Sequence, residues 1–256
     1  MIAIRLLLPS LSAMHHIDDL TPEEDIVPLG HVMASALFPT AFYLPTYIQW
    51  LQTNKEALSG SARYLKRYLD EHLRFDDRPW VLKAPWHLAL LRDLHREFPS
   101  ARYVWMHRNP LKSMSSTSSL VLSLIGMNSD LPQNLSFVAL AANETTEFWR
   151  WALDRGVEAR KDVLDKNQVF DVEFGGFAKD PVATIRDIYK HFKLPLPLEA
   201  ETRMHVYAKE NARGHRFGSH NYKDAPKFLN EKSVQVAFDV LVEDEEEDHG
   251  CEERAL

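Results

Sequence analysis

The chain contains the stretch Arg102-Tyr103-Val104-Trp105-Met106-His107-Arg108-Asn109-Pro110, which joins a short apolar run to a turn and a helical pattern. The run at 102–106 predicts a buried parallel strand, and the helix after the turn begins with several serines. Because open α/β sheets bind ligands beyond the carboxyl ends of their strands, Arg108 lies where a ligand is expected. A helix amino terminus offers free N–H groups and a positive dipole end, so this segment predicts an anion site, with phosphate as the first candidate.

A second apolar run places another cation in a similar position. Trp80, Val81 and Leu82 precede Lys83, and a helical pattern follows. Both cations also have ordinary structural interpretations. Arg108 can pair with a surface carboxylate while the serines cap the helix, and Lys83 can be a strand-end lysine that reaches solvent.

Composition indicates one α/β domain. Of the 256 residues, 45% are hydrophobic and 26% are charged, as in ordinary globular proteins. The formal net charge of -7 argues against broad nucleic-acid binding. The acidic run at 243–248 predicts a disordered tail at 243–256, so the domain is expected to span 1–242. The anion site must then be a local basic pocket in an acidic protein.

Cysteine usage and targeting signals narrow the class of protein further. Cys251 is the only cysteine, which excludes an intrachain disulfide and a cysteine-based metal cluster. The histidines show no spacing typical of a metal site, and we predict no metal. The apolar patch at 1–9 is too short to span a bilayer. We expect a cytoplasmic protein without a stable membrane span, with a weak signal peptide as the alternative.

Other elements follow from helix and strand signals. Thr21 as N-cap, Pro22 at the first helical position and Glu24 closing a capping box predict a helix start. Helical patterns also cover 62–72 and 135–163. Residues 167–173 predict another buried strand, and a helix follows from Pro181 until the prolines at 195 and 197 stop it.

Several of these motifs resemble sulfotransferases that use 3′-phosphoadenosine-5′-phosphosulfate (PAPS), in their bacterial-type branch. Arg108-Asn109-Pro110, with Ser116 eight positions after the arginine, resembles the family's 3′-phosphate element. Residues 82–88 are similar to its Lys-Ser-Pro-x-His-Leu strand end. Residues 170–192 resemble a later strand and helix, and residues 211–215 resemble the late Arg-Gly nucleotide loop.

The resemblance runs in family order from about Pro22 to about Tyr222. It implies a P-loop-NTPase-like α/β fold, a helix-rich three-layer sandwich with a parallel sheet. The family opens with a strand and a Gly-rich phosphosulfate loop, but the only glycines before Lys83 are Gly30 and Gly60, and neither lies in such a pattern. We therefore expect the domain to be N-terminally incomplete, either through a lost upstream segment or as a shortened homologue.

The resemblance also implies roles for individual residues. Lys83 is the cation expected to offset charge during transfer. His87 is a candidate base, and a structural role for it in helix capping or packing is an equal alternative. Glu23 and Glu24 are weaker candidates for the base. The expected nucleotide-binding residues are Arg108, Ser116, Phe174 (against adenine), Arg213, Gly214 and His215.

Acceptor recognition is left open by the sequence. In the family, helices near residues 38–50 help form the acceptor pocket, and Phe38, Phe42, Tyr43, Tyr47 and Trp50 either line such a pocket or belong to the core. The expected acceptor is a small or carbohydrate-like molecule, and the oligomeric state is unknown. Three functions follow: a PAPS-dependent sulfotransferase, a non-catalytic homologue with a weak nucleotide site, and a phosphoryl-transfer enzyme. The last is disfavoured because neither a Walker-type loop nor a clear magnesium-binding acid is present.

Overall fold

The computed structural model describes residues 23–73, 78–131 and 134–210 together with Val234. Over these ranges the chain forms ten α-helices and two β-strands: α1 Ile26–Leu29, α2 Leu37–Ala41, α3 Pro45–Thr53, α4 Lys55–Leu73, α5 His87–Glu97, β1 Tyr103–His107, α6 Pro110–Asn128, α7 Leu135–Val163, β2 Val169–Glu173, α8 Phe174–Lys179, α9 Pro181–His191 and α10 Leu198–Glu210. The predictions for Thr21, for Arg213, Gly214 and His215, and for the acidic tail at 243–256 lie outside the described residues.

The described residues divide into two compact units. The sheet unit contains β1, β2 and helices α8 to α10, whereas the helical unit contains α1 to α7. None of the helices within the described ranges has the length and apolar content that a membrane crossing requires.

The core of the helical unit is built mainly by α4, α5 and α7. On α4, Leu58, Ala62, Leu65 and Leu69 recur every three or four residues and are all buried. This spacing places them on one helix face, which packs against α5. Helix α5 in turn packs extensively on α7, whose predicted range of 135–163 is confirmed.

Aromatic side chains occupy the centre of that core. Trp86, the residue before α5, is fully buried and stacks on Phe148 of α7 with ring centroids 5.7 Å apart. Trp151 packs against both rings, at 6.1 Å and 5.8 Å. These contacts fix the first turn of α5, which begins with His87, against α7.

In the sheet unit, β1 and β2 form a parallel pair in which Tyr103 lies opposite Val169 and His107 opposite Glu173. The predicted parallel strand is confirmed, but the prediction that it is buried is wrong. Val104 and Met106 are 48% and 44% exposed, because the described residues leave that face of β1 uncovered.

Two local predictions are also corrected by the structure. The first helix within the described residues begins at Ile26, and Glu23 and Glu24 precede it instead of forming its first turn. The apolar run before Lys83 forms no strand, since neither β1 nor β2 pairs with it within the described residues. Val81 in that run is almost fully exposed.

The start of α9 agrees with its sequence signal. Pro181 occupies the first turn, and the Asp180 side chain accepts a hydrogen bond from the Ala183 N–H at 2.9 Å. An aspartate cap followed by proline satisfies a free donor and preorganises the backbone, so the local sequence is sufficient to begin this helix.

Candidate functional site

Asp25 connects the Lys83 segment to the first turn of α5. Its Oδ1 accepts a hydrogen bond from the Lys83 backbone N–H at 2.9 Å, and its Oδ2 lies 2.6 Å from Nε2 of His87. Asp25 is buried, and the His87 side chain is 23% exposed. The structure therefore brings the two predicted catalytic residues, Lys83 and His87, onto one carboxylate.

The Lys83 ammonium pairs with a second acid of the same segment. Its Nζ contacts Oε1 of Glu24 in an ion pair whose lysine side chain is 73% exposed. The Glu24 side chain is only 17% exposed, but because the ammonium itself faces solvent, an incoming anion can compete with the glutamate for it. The geometry is compatible with the predicted role of Lys83, which stays a prediction.

Asp25 is a site residue that the sequence pattern did not indicate. It lies 58 positions from Lys83 and 62 from His87, and its neighbours Glu23 and Glu24 look like ordinary helix-start acids. The available signal was a run of three acids before an apolar segment. Only the packing of the chain shows which acid meets the histidine.

Arg108 and Phe174 come together in the sheet unit. Arg108 follows β1 and Phe174 follows β2, and since His107 and Glu173 are in register, both lie at the carboxyl edge of the strand pair. The guanidinium carbon of Arg108 is 4.7 Å from the Phe174 ring centroid, a cation–π distance.

The surface-carboxylate interpretation of Arg108 finds no support in the described part of the chain. Arg108 is exposed, and no described carboxylate forms an ion pair with it. Its N–H donors are therefore available to an anion from solvent.

Other predicted nucleotide residues are not brought together in this way. Ser116 lies in the second turn of α6, is half-buried and belongs to the helical unit, whereas Arg108 belongs to the sheet unit. Their joint contact with a phosphate stays a prediction. The same holds for Arg213, Gly214 and His215, which lie outside the described residues.

Part of the aromatic cluster at 38–50 is structural. The Tyr47 hydroxyl donates to the Met33 carbonyl and accepts from the Ser35 N–H at 3.1 Å, and its ring stacks on Trp50. Phe38 packs edge-on against the same ring at 5.8 Å. Burial raises the pKa of Tyr47, so its hydroxyl remains a donor in this network.

Tyr43 makes a different kind of contact. Its hydroxyl donates to Oε1 of Glu144 at 3.1 Å, and burial together with the Glu144 carboxylate raises the pKa of Tyr43. Oε2 of Glu144 is buried without a hydrogen-bond partner. Phe42, beside Tyr43, is 40% exposed. Phe42, Tyr43 and Glu144 could therefore line the predicted acceptor pocket, and both the pocket and its ligand stay predictions.

Within the described ranges, no three His, Cys, Asp or Glu side chains are grouped as metal ligands. The contacts that bear on the predicted roles are those of Asp25 with His87 and of Arg108 with Phe174.

Comparisons with known proteins identify the family of the chain. A model of the sulfotransferase family matches residues 3–198. The crystal structure of sulfotransferase STF9 from Mycobacterium avium is 25% identical, with a TM-score of 0.76 over 89% of this chain and 57% of that chain. The structure of sulfotransferase STF1 from Mycobacterium tuberculosis H37Rv is 24% identical, with a TM-score of 0.73 over 93% of this chain and 60% of that chain.

The chain therefore spans 57% to 60% of the length of these two proteins. No curated protein matches it. The shared fold confirms a helix-rich α/β, P-loop-like architecture with a small parallel sheet. Since the family model covers well over half of its residues, the chain belongs to the sulfotransferase family.

Proposed function

We propose that this protein transfers a sulfuryl group from PAPS to a hydroxyl or amine of a small or carbohydrate-like acceptor. The observation that supports it most strongly is the Arg108–Phe174 contact at the carboxyl edge of two parallel strands. It combines a cation without a described carboxylate partner with an aromatic ring, the two groups that a phosphorylated nucleoside needs.

In this proposal Arg108 binds the 3′-phosphate and Phe174 packs near adenine. A guanidinium presents several N–H donors in a planar fork that matches phosphate oxygens, and an aromatic side chain offers its ring to the base. Phenylalanine cannot donate a hydrogen bond, so adenine would be recognised by packing. Ser116 and the Arg213 segment would complete the site.

Lys83 would act on the transferred group. Sulfuryl transfer passes an anionic group in line from a phosphate to the acceptor, so a cation that offsets charge on the bridging and equatorial oxygens lowers the barrier. The exposed Lys83 ammonium fits this task once the donor displaces Glu24. His87 is the proposed base, and Glu24 is the weaker alternative.

The test is calorimetric titration of the full chain with adenosine 3′,5′-bisphosphate. We expect Arg108→Ala to weaken binding by about 10-fold to 100-fold, the usual loss for a charge-assisted hydrogen bond.

The matched control is Arg102→Ala. Arg102 also lies over a ring, that of Phe192 at 5.9 Å, but at the opposite end of β1. Its removal should leave the affinity unchanged. Equal affinities for the wild type and Arg108→Ala would contradict the phosphate role of Arg108.

A second candidate function is nucleotide binding without transfer. Gly30 caps α1 with helical backbone angles and Gly60 lies inside α4, so neither glycine before Lys83 forms a phosphosulfate loop. A chain that binds the bisphosphate but transfers no radiolabelled sulfate from PAPS to a panel of hydroxyl and amine acceptors would favour this candidate.

A further inference from the structure

We infer that Asp25 is a positioning residue for the transfer reaction: it fixes the His87 ring with Nε2 protonated, so that Nδ1 is the atom that accepts the acceptor's proton. The inference rests on the proposed sulfuryl transfer. Nδ1 is then the ring nitrogen that accepts the proton, and Asp25 is the residue that sets the tautomer.

The hydrogen-bond pattern around Asp25 determines the tautomer. An ionised carboxylate only accepts hydrogen bonds. Its Oδ1 accepts from the Lys83 backbone N–H, so its Oδ2, 2.6 Å from His87, must accept as well. Nε2 of His87 therefore carries a hydrogen. In the neutral ring this leaves the lone pair on Nδ1.

Nδ1 is the ring atom that remains available. No described residue forms a hydrogen bond with it, and the His87 side chain retains 23% of its exposure. A base needs a free lone pair within reach of its substrate, and of the two ring nitrogens only Nδ1 has one.

Asp25 is also suited to stabilise the protonated ring. His87 begins α5. The buried carboxylate of Asp25 lies beside Nε2, so the positive charge that the ring gains during transfer forms next to an anion. Because the Lys83 N–H holds its other oxygen, the carboxylate is fixed in the orientation that the ring requires.

The proposed step moves one proton to His87 and one sulfuryl group to the acceptor. Nδ1 takes the proton from the acceptor's O–H or N–H while the acceptor atom forms its bond to sulfur. The bond between sulfur and the bridging oxygen breaks, and its electron pair leaves with the 5′-phosphate, giving adenosine 3′,5′-bisphosphate. The imidazolium formed at His87 then releases its proton to water.

The isosteric variant Asp25→Asn gives a sharp test. The Asn Oδ1 should keep the hydrogen bond from the Lys83 N–H, so the Asn Nδ2 hydrogens would face His87. The ring then has to accept at Nε2 and carry its hydrogen on Nδ1, which inverts the tautomer. The same amide-for-acid exchange at a catalytic aspartate that orients a histidine lowers turnover about 10⁴-fold through this cause.

Two measurements on the 256-residue chain test the role of Asp25. With ¹⁵N-labelled histidine, long-range ¹H–¹⁵N spectra report which nitrogen is protonated, and His87→Gln assigns the signal. We expect the Nε2–H form in the wild type, the Nδ1–H form in Asp25→Asn, and the Nε2–H form in the matched variant Glu24→Gln, which removes the neighbouring acid. A wild-type ring protonated on Nδ1, or a tautomer that Asp25→Asn leaves unchanged, overturns the inference.

The second measurement separates chemistry from binding. We expect Asp25→Asn to lower kcat by about 100-fold or more, with unchanged KM for PAPS and unchanged affinity for the bisphosphate. Asp70→Asn, in the exposed Lys66 pair, serves as the control for removing a carboxylate and should behave as wild type.

The two proposals fail in different ways. Wild-type transfer that Asp25→Asn retains, despite an inverted tautomer, overturns the role of Asp25 but leaves the proposed function intact. A wild-type chain that neither binds the bisphosphate nor transfers sulfate overturns the proposed function, and with it the catalytic role of Asp25.

Discussion

The cationic and basic residues of the candidate site differ in whether an acidic side chain already pairs with them. Lys83 is held by Glu24, His87 by Asp25, and Arg108 lies over Phe174 without a described acidic partner. An arginine in that state is available to a phosphate, whereas Lys83, whose ammonium is exposed, has to exchange the Glu24 carboxylate for the donor's oxygens. The residue types therefore fit successive steps, nucleotide binding by Arg108 and charge stabilisation by Lys83.

Replacing Lys83 tests the second of these steps. Lys83→Met keeps much of the stem and removes the charge. We expect turnover to fall by about 100-fold to 1000-fold, the usual loss for one electrostatic contact to the reacting group. The free energy of unfolding should fall by about 1 kcal/mol, because the lysine end of the pair is 73% exposed while Glu24, 17% exposed, loses its partner.

The control for this experiment is Lys66→Met. Lys66 forms an ion pair with Asp70, four residues later on α4, and neither residue belongs to the candidate site. Sulfate transfer by this variant should equal that of wild type. Full activity in Lys83→Met, measured with radiolabelled donor, would contradict the assigned role.

Among the elements, α5 positions the candidate base. It begins at His87 immediately after Trp86, whose ring is stacked on Phe148 of α7. The His87 end of α5 is thus anchored by an aromatic contact to a helix distant in the sequence. Stability of the core and placement of His87 depend on the same packing.

Truncating this contact should affect both properties. Phe148→Ala removes a buried ring and is expected to lower the free energy of unfolding by about 3–5 kcal/mol, measured by urea denaturation. Glu147→Ala, on the exposed side of the same turn, should change it by about 0.5 kcal/mol or less. A loss below about 1 kcal/mol for Phe148→Ala would show that the stack does not anchor α5.

At the level of the whole molecule, the proposed function requires an acidic protein to bind an anionic donor. The formal net charge of -7 means that any phosphate site is a local concentration of cations, not a consequence of overall charge. Much of the acidity lies at 243–248, in the segment predicted as a tail. For phosphate binding, the ion pairs near Arg108 and Lys83 therefore matter more than the net charge of the chain.

Global stability should depend on pH through Tyr103. Burial raises the pKa of Tyr103 from 10.0 to about 12. Between these values the unfolded chain has lost a proton that the folded chain keeps, so stability falls as the pH rises, by up to about 1.4 kcal/mol per pH unit. Below about pH 10 the contribution is fully present.

Urea unfolding of wild type and Tyr103→Phe at about pH 9 and about pH 11 checks this expectation. The variant should lose less stability between the two conditions, because it has no hydroxyl to ionise. The measurement at about pH 9 corrects for any change that the substitution itself causes. An identical decline in both proteins would show that Tyr103 ionises in the fold as it does in the unfolded chain.

Much of the fold could be predicted because its signals are local. The apolar periodicity of 135–163 marks α7, Pro181 marks the start of α9, and the run ending at Met106 marks β1. The predicted burial of β1 failed for the opposite reason. Whether Val104 is covered depends on which other segment packs against it, and no local pattern contains that information.

The sequence by itself determined the chemical types of the candidate site: a cation after each apolar run, a histidine at the start of a helix and a phenylalanine after the second strand. These follow from neighbouring residues, since capping, periodicity and turns act over a few positions. Tertiary structure alone decided that Asp25, rather than Glu23 or Glu24, meets His87 across 62 positions, and that Arg108 lies over Phe174. Such pairings depend on how the residue before α1 meets the first turn of α5, and on how β1 and β2 pair, and that placement results from burial of the core as a whole.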